Sequence, residues 1–459
     1  MGKILPLLNT VIGFGLYCLA LVLLLTRFFE FPLNKNFLLP FISVALLPYV
    51  IDIIYFQFIV LSQLSWTLVI TLALITAKRA SENHFFSIYT ALSTLLLFLS
   101  VGGYPASINL YATATVLYLL KQYSNCSNIT KLLKQSIPFA VSLIISLALL
   151  YITYKWLMAH KMMLHLYNNE TAGIMDLFLK IFPTIKLSLI SLYQPQPFFN
   201  LTYKIISSSI ILYSFIILCI KSKPKERPLI FVFFLIILLA VKFSAWLTNE
   251  TPENYFSQYD PAAFMVRADF YAVPILILFA LATLFTSKTI HKNIAFLLSL
   301  LLVLSNINAD LSFSKASVLG FKSEALLQER INNRLQSSPA YNRYKLYTIV
   351  QAGELPMRRH FYQPGIKEKY GYYTLDVPFT RHWIAFEYYN FFAPFTFVRE
   401  GTAINPEDFS TQMTNFLSQE IQTWPSPYST YVDDNYGIIA LTPKGKSMLT
   451  EQFRQLGTH

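Results

Sequence analysis

Arg267 stands in an apolar part of the sequence with carboxylates on either side, within residues 259–271, YDPAAFMVRADFY. A guanidinium presents a planar fork of donors that suits bidentate binding of a phosphate. Asp260 and Asp269 accompany it at the predicted outer end of a long apolar run. An internal Arg–Asp pair that anchors the helix end is the alternative. Because residues two apart face different ways on a helix, at least one of Arg267 and Asp269 is expected to have a partner elsewhere.

A second ionisable residue, Asp52, lies in the segment 48–66, PYVIDIIYFQFIVLSQLSW, together with Tyr55, Gln57 and Gln63. A carboxylate at membrane depth is costly to leave in lipid, so it is a functional candidate by default. A position of Asp52 at the water interface explains its presence equally well.

A third polar segment, 99–109, reads LSVGGYPASIN. Its two glycines and its proline predict a tight outer turn. Tyr104 lies in that turn, and Ser107 and Asn109 follow where the next apolar run begins. These side chains are candidates for substrate binding, and a plain turn between two helices is the alternative.

Two further residues, Gln194 and Glu250, belong to predicted outer loops that also contain Tyr193 and Trp246. Aromatic rings stack on sugar faces, and polar side chains bond sugar hydroxyls, so this composition is typical of sugar binding. Tryptophan and tyrosine are also common at any membrane interface, which is the alternative for each of them.

Composition indicates which class of protein must position these residues. Of the 459 residues only 13% are charged, and the mean hydropathy is +0.47, whereas a soluble domain is about 25% charged. Apolar runs of about 20 residues recur, each long enough to cross a hydrocarbon core of about 30 Å. The sequence therefore predicts a polytopic α-helical membrane protein with about ten transmembrane helices. The predicted spans are 5–26, 37–54, 62–77, 84–101, 105–120, 137–154, 203–220, 228–246, 263–286 and 290–306.

Basic residues predict the orientation of these spans. Several of them are concentrated in the short loop Lys221–Arg227, and such loops lie in the cytoplasm. The same orientation places Lys78, Lys121 and Lys288 inside and the acidic stretch 249–260 outside. This bias explains the formal charge of +12, so no nucleic-acid partner is predicted.

The chain divides by composition near residue 306. Residues 1–306 form the predicted transmembrane domain, and residues 307–459 form a predicted small α+β domain in the periplasm. The longest outer loop, 155–202, includes the apolar segment 174–193. We predict that this segment is an amphipathic helix in the outer interface, because its charges and its central proline make it a poor span.

The predicted C-terminal domain mixes helices and strands. Helical periodicity covers 321–336 and 406–422, and alternation predicts strands at 344–352 and 436–442. This domain has no cysteine, and the histidines of the chain form no ligand cluster. We therefore predict no metal and no cofactor.

The outer segments resemble those of a bacterial family. Gly103–Leu110, GYPASINL, is similar to the Y-Q-A-S element of Gtr-type O-antigen glucosyltransferases, in which this element also opens a span. Leu47–Trp66 resembles the family's outer element before the next helix. Met265–Arg267 resembles its late M-R/V-R element. The resemblance covers most of residues 5–306.

This resemblance implies a GT-C-like glucosyltransferase of the bacterial inner membrane, with its C-terminal part in the periplasm. Such enzymes transfer glucose from an undecaprenyl-phosphate carrier to the O-antigen of lipopolysaccharide. The implied partners are undecaprenyl-phosphate-linked glucose, the O-antigen glycan and the lipid bilayer, together with a flippase and a donor synthase.

The implied chemistry assigns roles to the candidate residues. A carboxylate must deprotonate the acceptor hydroxyl, and cationic or amide donors must stabilise the leaving phosphate. We assign the first role to Asp52 and the second to Arg267. The remaining candidates are assigned to substrate binding: Tyr104, Ser107, Asn109, Gln194, Glu250, Asp260 and Asp269.

One departure from the family pattern keeps other interpretations open. The family's first helix and acidic first loop are expected to be absent, because the loop 27–36 has Glu30 as its only acidic residue and is predicted to be cytoplasmic. An inactive, truncated remnant is therefore one alternative. Another is an O-antigen polymerase or other periplasmic glycan transferase, although the loop 155–202 lacks arginine. A third is a flippase or transporter, which usually shows inverted repeats and broken helices.

Overall fold

α-Helices dominate the computed structural model. It describes residues 4–32, 37–47, 60–83, 87–126, 128–160, 174–193, 201–247, 261–342, 348–352, 423, 425–432, 436–440 and 447. The helices are α1 (Ile4–Leu23), α2 (Leu38–Ala45), α3 (Val60–Glu82), α4 (Ile88–Gly103), α5 (Ile108–Cys126), α6 (Ile129–Ala159), α7 (Ile174–Leu179), α8 (Ile181–Tyr193), α9 (Leu201–Lys221), α10 (Arg227–Val241), α11 (Phe243–Leu247), α12 (Pro261–Phe285) and α13 (Thr289–Gln336).

The helices agree with a membrane protein. Within the described residues, four helical segments are long and apolar enough to cross a bilayer: Leu8–Phe28, Ile129–Leu157, Leu201–Lys221 and Thr289–Asn308. Each predicted span also coincides, where it is described, with a helix. That about ten of these helices cross the membrane stays a prediction.

The core of the bundle is α12, in which every residue from Phe270 to Phe285 is buried. A helix that is apolar on all sides belongs inside a protein rather than at its surface. It packs against α2, α5, α9 and α10. Two groups of helices are arranged around it. In the first group, α3 packs against α1, α4 and α6. In the second group, α10 packs against α8 and α9. Helix α5 contacts members of both groups.

Two lysines bind the chain segment that follows α1. The Lys78 ammonium donates to the Arg27 carbonyl at 2.9 Å and forms ion pairs with Glu30 and, at 3.7 Å, with Glu82. The Lys121 ammonium donates to the carbonyl of Phe29 and lies 3.3 Å from that of Glu30. These contacts satisfy carbonyls that the end of a helix leaves without intrahelical partners.

A third lysine belongs to the same end of the bundle. Lys221 donates to the Ser287 hydroxyl at 2.7 Å, just beyond the end of α12. The ring of Phe31 lies 5.9 Å from that of Phe279 in the last turns of α12 and 4.3 Å from the Lys121 ammonium. We call this end, with Lys78, Lys121 and Lys221, the basic end. The basic residues predicted to share one side of the membrane thus share one end of the bundle.

The segment 174–193, predicted as one interfacial helix, forms two helices instead. α7 ends at Leu179 and α8 begins at Ile181. Pro183 accounts for the break, because it has no N–H to donate to the Leu179 carbonyl and its ring crowds that carbonyl. α8 packs against α9 and α10, and Lys180 at the break is buried.

The chain divides into two compact units, the first extending to Leu311 and the second beginning at Ser312. The helix predicted at 321–336 is confirmed as the last part of α13. This helix also runs through residue 306, where the composition changes, because residues 307–336 contain no proline and their one glycine, Gly320, lies inside the helix.

The second unit contains a three-stranded sheet of β1 (Thr348–Ala352), β2 (Thr430–Val432) and β3 (Tyr436–Ala440), in the order β1-β3-β2. β1 is parallel to β3, and β2 is antiparallel to it. The predicted strands 344–352 and 436–442 are confirmed where they are described. The predicted helix 406–422 lies outside the described residues.

We expect Lys78→Met to lower the thermal midpoint of the protein in detergent. The change removes the hydrogen bond to the Arg27 carbonyl and the ion pair with the half-exposed Glu30 carboxylate, and a hydrogen bond contributes about 0.5–1.5 kcal/mol net. The matched control is Lys288→Met, which removes an exposed lysine at the basic end. Equal midpoints for the two variants would contradict the anchoring role of Lys78.

Candidate functional site

The polar turn between α4 and α5 is built as its sequence predicts. Tyr104 is extended, with φ −154° and ψ 103°, as expected for a residue before proline. Pro105 then begins a single 3₁₀ turn that ends at Ser107, where its missing N–H costs nothing. The Tyr104 amide donates to the Ser100 carbonyl at 2.9 Å, and the Ser107 amide to the Tyr104 carbonyl at 3.0 Å. The turn is therefore closed by its own backbone.

Gly103 lets the start of α3 approach this turn. A Cβ atom at Gly103 would lie 2.2 Å from Cζ2 of Trp66, so the indole ring rests directly on the glycine backbone. The Ser100 hydroxyl also lies 3.5 Å from the Trp66 carbonyl. The segment 48–66 and the segment 99–109 thus meet through Trp66.

Ser107 and Asn109 are fully buried and hold helices together. The Ser107 hydroxyl donates to the Ser100 carbonyl and accepts from the Ser100 hydroxyl, both at 3.3 Å. The Asn109 carboxamide oxygen accepts the Ser244 backbone N–H at 2.7 Å, which ties α5 to α11. Both side chains therefore have structural partners, and their assignment to substrate binding stays a prediction.

Tyr104 connects the turn to the core helix α12. Its ring centroid lies 5.6 Å from that of Tyr271, with the planes at 40°. Tyr271 packs edge-on against Phe270, whose ring stacks on Tyr17 of α1 at 5.7 Å. Arg267 lies on the same helix, one turn before Tyr271.

The described parts of the three sequence segments that were predicted to carry chemistry thus meet at one end of the bundle. Trp66 belongs to the segment 48–66, Tyr104 to 99–109 and Tyr271 to 259–271. We call this end of the bundle the Tyr104 end. It lies opposite the basic end, because α12 rises about 21 Å from Tyr271 to Phe285 at 1.5 Å per residue, and Ser287 follows just beyond the end of α12. This agrees with the prediction that these segments lie outside and the lysines inside.

The other predicted site residues are only partly placed by the structure. Asp52, Gln194, Glu250 and Asp260 lie outside the described residues, and Asp269 is placed only as a position on α12. In the described part of the chain, no three His, Cys, Asp or Glu side chains form a group that could hold a metal.

Sequence reasoning missed Ser244 as a partner of Asn109. The bond joins a side chain to a backbone N–H that is 135 residues away, and any residue type supplies such a donor. The Gly102–Gly103 pair could have predicted the contact between Gly103 and Trp66, because glycine in a helix often marks a close approach.

A comparison with protein families identifies the family to which the chain belongs. The family model for the glucosyl transferase GtrII matches residues 2–268, more than half of the chain. The chain belongs to the GtrII glucosyltransferase family. The resemblance seen in Gly103–Leu110 and Met265–Arg267 is thereby confirmed. Neither a search of the curated proteins nor one of the solved structures found a match.

GtrII membership supports glycosyl transfer as the activity of this membrane protein. The matched range includes Trp66, the turn at Tyr104 and Arg267, and it ends three residues before Tyr271. The Tyr104 end is therefore almost entirely built from the part of the chain that the GtrII family shares.

We expect Gly103→Ala to destabilise this GtrII protein by about 1–3 kcal/mol, the usual cost of forcing an extra carbon into a packed interior. Trp66→Leu should remove the ring atoms that the new methyl group meets, so the double variant should recover part of the loss. Thermal midpoints in detergent measure both. Gly15→Ala is the control, because a Cβ there meets no heavy atom within 4 Å. Strictly additive effects of the two substitutions would contradict the close contact.

Proposed function

We propose that the protein transfers a glucosyl group from undecaprenyl-phosphate-glucose to a sugar of the O-antigen at the periplasmic face of the bacterial inner membrane. GtrII membership supports the glucosyl transfer. The identity of the donor, the identity of the acceptor and the side of the membrane on which transfer takes place are our proposal.

The observation that carries this proposal is the contact between Tyr104 and Tyr271. It brings the turn that resembles the family's Y-Q-A-S element to the helix that bears Arg267. Both lie at the end of the bundle opposite Lys78, Lys121 and Lys221, and by the positive-inside rule this supports a periplasmic position. A lipid-linked donor presents its phosphate and its sugar at such a membrane surface.

The proposed reaction is a single displacement or its stepwise equivalent. An acceptor hydroxyl oxygen forms a bond to the anomeric carbon of glucose, and the bond from that carbon to the donor phosphate oxygen breaks. The hydroxyl proton passes to a carboxylate, for which Asp52 is the candidate. The electron pair of the broken bond stays on undecaprenyl phosphate, whose growing negative charge Arg267 stabilises.

The activity is tested in cells that make lipid-linked glucose and lack a glucosyltransferase of their own. We expect a new glucosyl branch in the composition and linkage analysis of the O-antigen when the chain is expressed. An unchanged O-antigen, with the protein present in the membrane, would contradict the proposal.

Asp52→Asn should reduce glucosyl transfer by about 10²–10⁴-fold, because the variant loses the proton acceptor. The apparent KM for the lipid donor should change little, since Asp52 is assigned to the acceptor side. Asp52→Glu keeps a carboxylate and should retain part of the activity. Full glucosylation by the asparagine variant would exclude Asp52 as the base.

Arg267→Ala should raise the apparent KM for undecaprenyl-phosphate-glucose and slow the transfer. Hydrogen bonds to a charged group contribute about 1.5–3 kcal/mol, and each 1.4 kcal/mol is tenfold in affinity, so we expect a loss of about 10–100-fold. Arg79→Ala, which removes an exposed arginine at the basic end, is the control. An unchanged KM and rate for Arg267→Ala would rule out the assigned role.

A further inference from the structure

Tyr17 of α1 has a buried hydroxyl group without a hydrogen-bond partner. The residue is 1% exposed, and its hydroxyl oxygen has no partner among the residues that the structure describes. Short side chains can bond their own helix, as the Thr71 hydroxyl does with the Thr67 carbonyl at 2.8 Å, but a tyrosine hydroxyl at the end of its ring is out of reach of its own backbone. A buried hydroxyl that stays unpaired is unfavourable, so its presence calls for an explanation.

Another buried tyrosine shows how the bundle satisfies such a group. Tyr111 of α5 is also 1% exposed, and its hydroxyl donates to the Phe139 carbonyl of α6 at 3.3 Å. A phenylalanine at position 17 would fill the same space as Tyr17 without an unpaired oxygen. Packing within the described part of the chain therefore does not account for the Tyr17 hydroxyl, and this points to a ligand.

Aromatic contacts place Tyr17 beside the part of α12 that carries Arg267. The ring centroids of Tyr17 and Phe270 are 5.7 Å apart, with the planes at 28°. Phe270 lies three residues after the position of Arg267 on α12, and residues three apart share one face of a helix. Phe270 also packs edge-on against Tyr271, with 4.7 Å between ring centroids, and Tyr271 contacts Tyr104. The Tyr104 end therefore extends to Tyr17 of α1.

Helix direction indicates where the Tyr17 hydroxyl points. Long side chains of a helix lean back toward its N-terminus. α1 begins at Ile4 and leads to the basic end, where Lys78 binds the Arg27 carbonyl. The Tyr17 ring is thus directed away from the basic end. Its hydroxyl is expected on the side of Phe270 on which Arg267 lies, because α12 also runs toward the basic end.

The depth of Tyr17 favours the phosphate of a lipid-linked donor over its sugar. Phe270 lies about 4.5 Å closer to the basic end than Arg267, at 1.5 Å per residue. In a lipid-linked donor the phosphate joins the prenyl chain, which stays in the hydrocarbon, to the sugar, which faces water. A group on the inner side of Arg267 therefore lies nearer to the phosphate. A phenolic O–H is a hydrogen-bond donor, and bonds from such donors to ionised acceptors are strong.

We propose that the Tyr17 hydroxyl donates a hydrogen bond to the phosphate of the lipid-linked donor, beside the position of Arg267. The identity of the lipid rests on the proposed function. The assignment of the hydroxyl to a ligand rests on its burial, its missing partner and the contact between Tyr17 and Phe270. A donor that is fixed before the reaction stabilises the charge that develops on the phosphate without reorganisation.

The test measures binding of undecaprenyl phosphate to the purified full chain in detergent, without any transfer step. Tyr17→Phe should weaken this binding about 10–100-fold, because a hydrogen bond to a charged group is lost. Its thermal midpoint without lipid should equal or exceed that of the wild type, because the variant removes an unpaired buried hydroxyl. A purely structural hydroxyl would give the opposite pattern. A lower midpoint with unchanged affinity would therefore overturn the proposal.

Tyr118→Phe is the matched control, because it makes the same chemical change at the basic end. Tyr118 is also 1% exposed. Its ring centroid lies 5.1 Å from that of Phe28 and 5.8 Å from the Lys78 ammonium. The affinity of this variant for undecaprenyl phosphate should equal that of the wild type. An equal loss of affinity in Tyr118→Phe and Tyr17→Phe would overturn the assignment to Tyr17.

Two further lipids identify the group that the hydroxyl binds. Undecaprenol has the prenyl chain without the phosphate, so the wild type and Tyr17→Phe should bind it equally. A weaker binding of undecaprenol by Tyr17→Phe would overturn the assignment to the phosphate. A loss of affinity for undecaprenyl-phosphate-glucose alone, with undecaprenyl phosphate bound as by the wild type, would also overturn it and would assign the hydroxyl to the sugar.

The binding assay separates the role of Tyr17 from the proposed function. Tyr17-dependent binding of undecaprenyl phosphate without glucosylation in cells would contradict the proposed function alone. Glucosylation in cells, together with wild-type affinity for undecaprenyl phosphate in Tyr17→Phe, would contradict the role of Tyr17 alone.

Discussion

Buried polar groups in a bundle this apolar must find their hydrogen-bond partners within the protein, because lipid offers none. The structure meets this need with bonds between helices. Ser93 of α4 donates to the Ala73 carbonyl of α3 at 2.9 Å, and Ser146 of α6 to the Thr94 carbonyl of α4 at 2.8 Å. Ser188 and Asn109 do the same for α8 with α10 and for α5 with α11. Each bond fixes the register of two helices that apolar packing alone would let slide.

Fixed register is what separates the two ends of the bundle. Lys78 and Lys121 hold the chain after α1 at one end, and Lys221 holds the end of α9 to Ser287 there. The aromatic and glycine contacts of Trp66 and Tyr104 belong to the other end. The proposed transfer from a lipid-linked sugar uses such a division, because positive charge in short loops orients the chain and the proposal assigns the donor phosphate to the opposite end.

The sequence was informative where one residue type forces one geometry. Apolar runs predicted the positions of the helices, and Pro105 after Gly103 predicted the turn, because proline and glycine act locally. Strands at 348–352 and 436–440 followed from alternation. The break between α7 and α8 was missed because the apolar pattern continues through Pro183. The Asn109–Ser244 and Ser188–Leu238 bonds join helices that are distant in sequence, so no local pattern predicted them.

The short turn from Gly103 to Asn109 joins parts of the bundle that are distant in sequence. At its beginning, Tyr104 contacts Tyr271, one helical turn after Arg267. At its end, Asn109 binds the backbone of Ser244, two residues after Lys242. The turn therefore connects α12, which carries Arg267, with α11, which contains Ser244. A leaving phosphate gains negative charge as its bond to the sugar breaks, and donors held in place beforehand stabilise that charge without reorganisation. In the proposed reaction that donor is Arg267, and a turn closed by its own hydrogen bonds is suited to holding its helix in place.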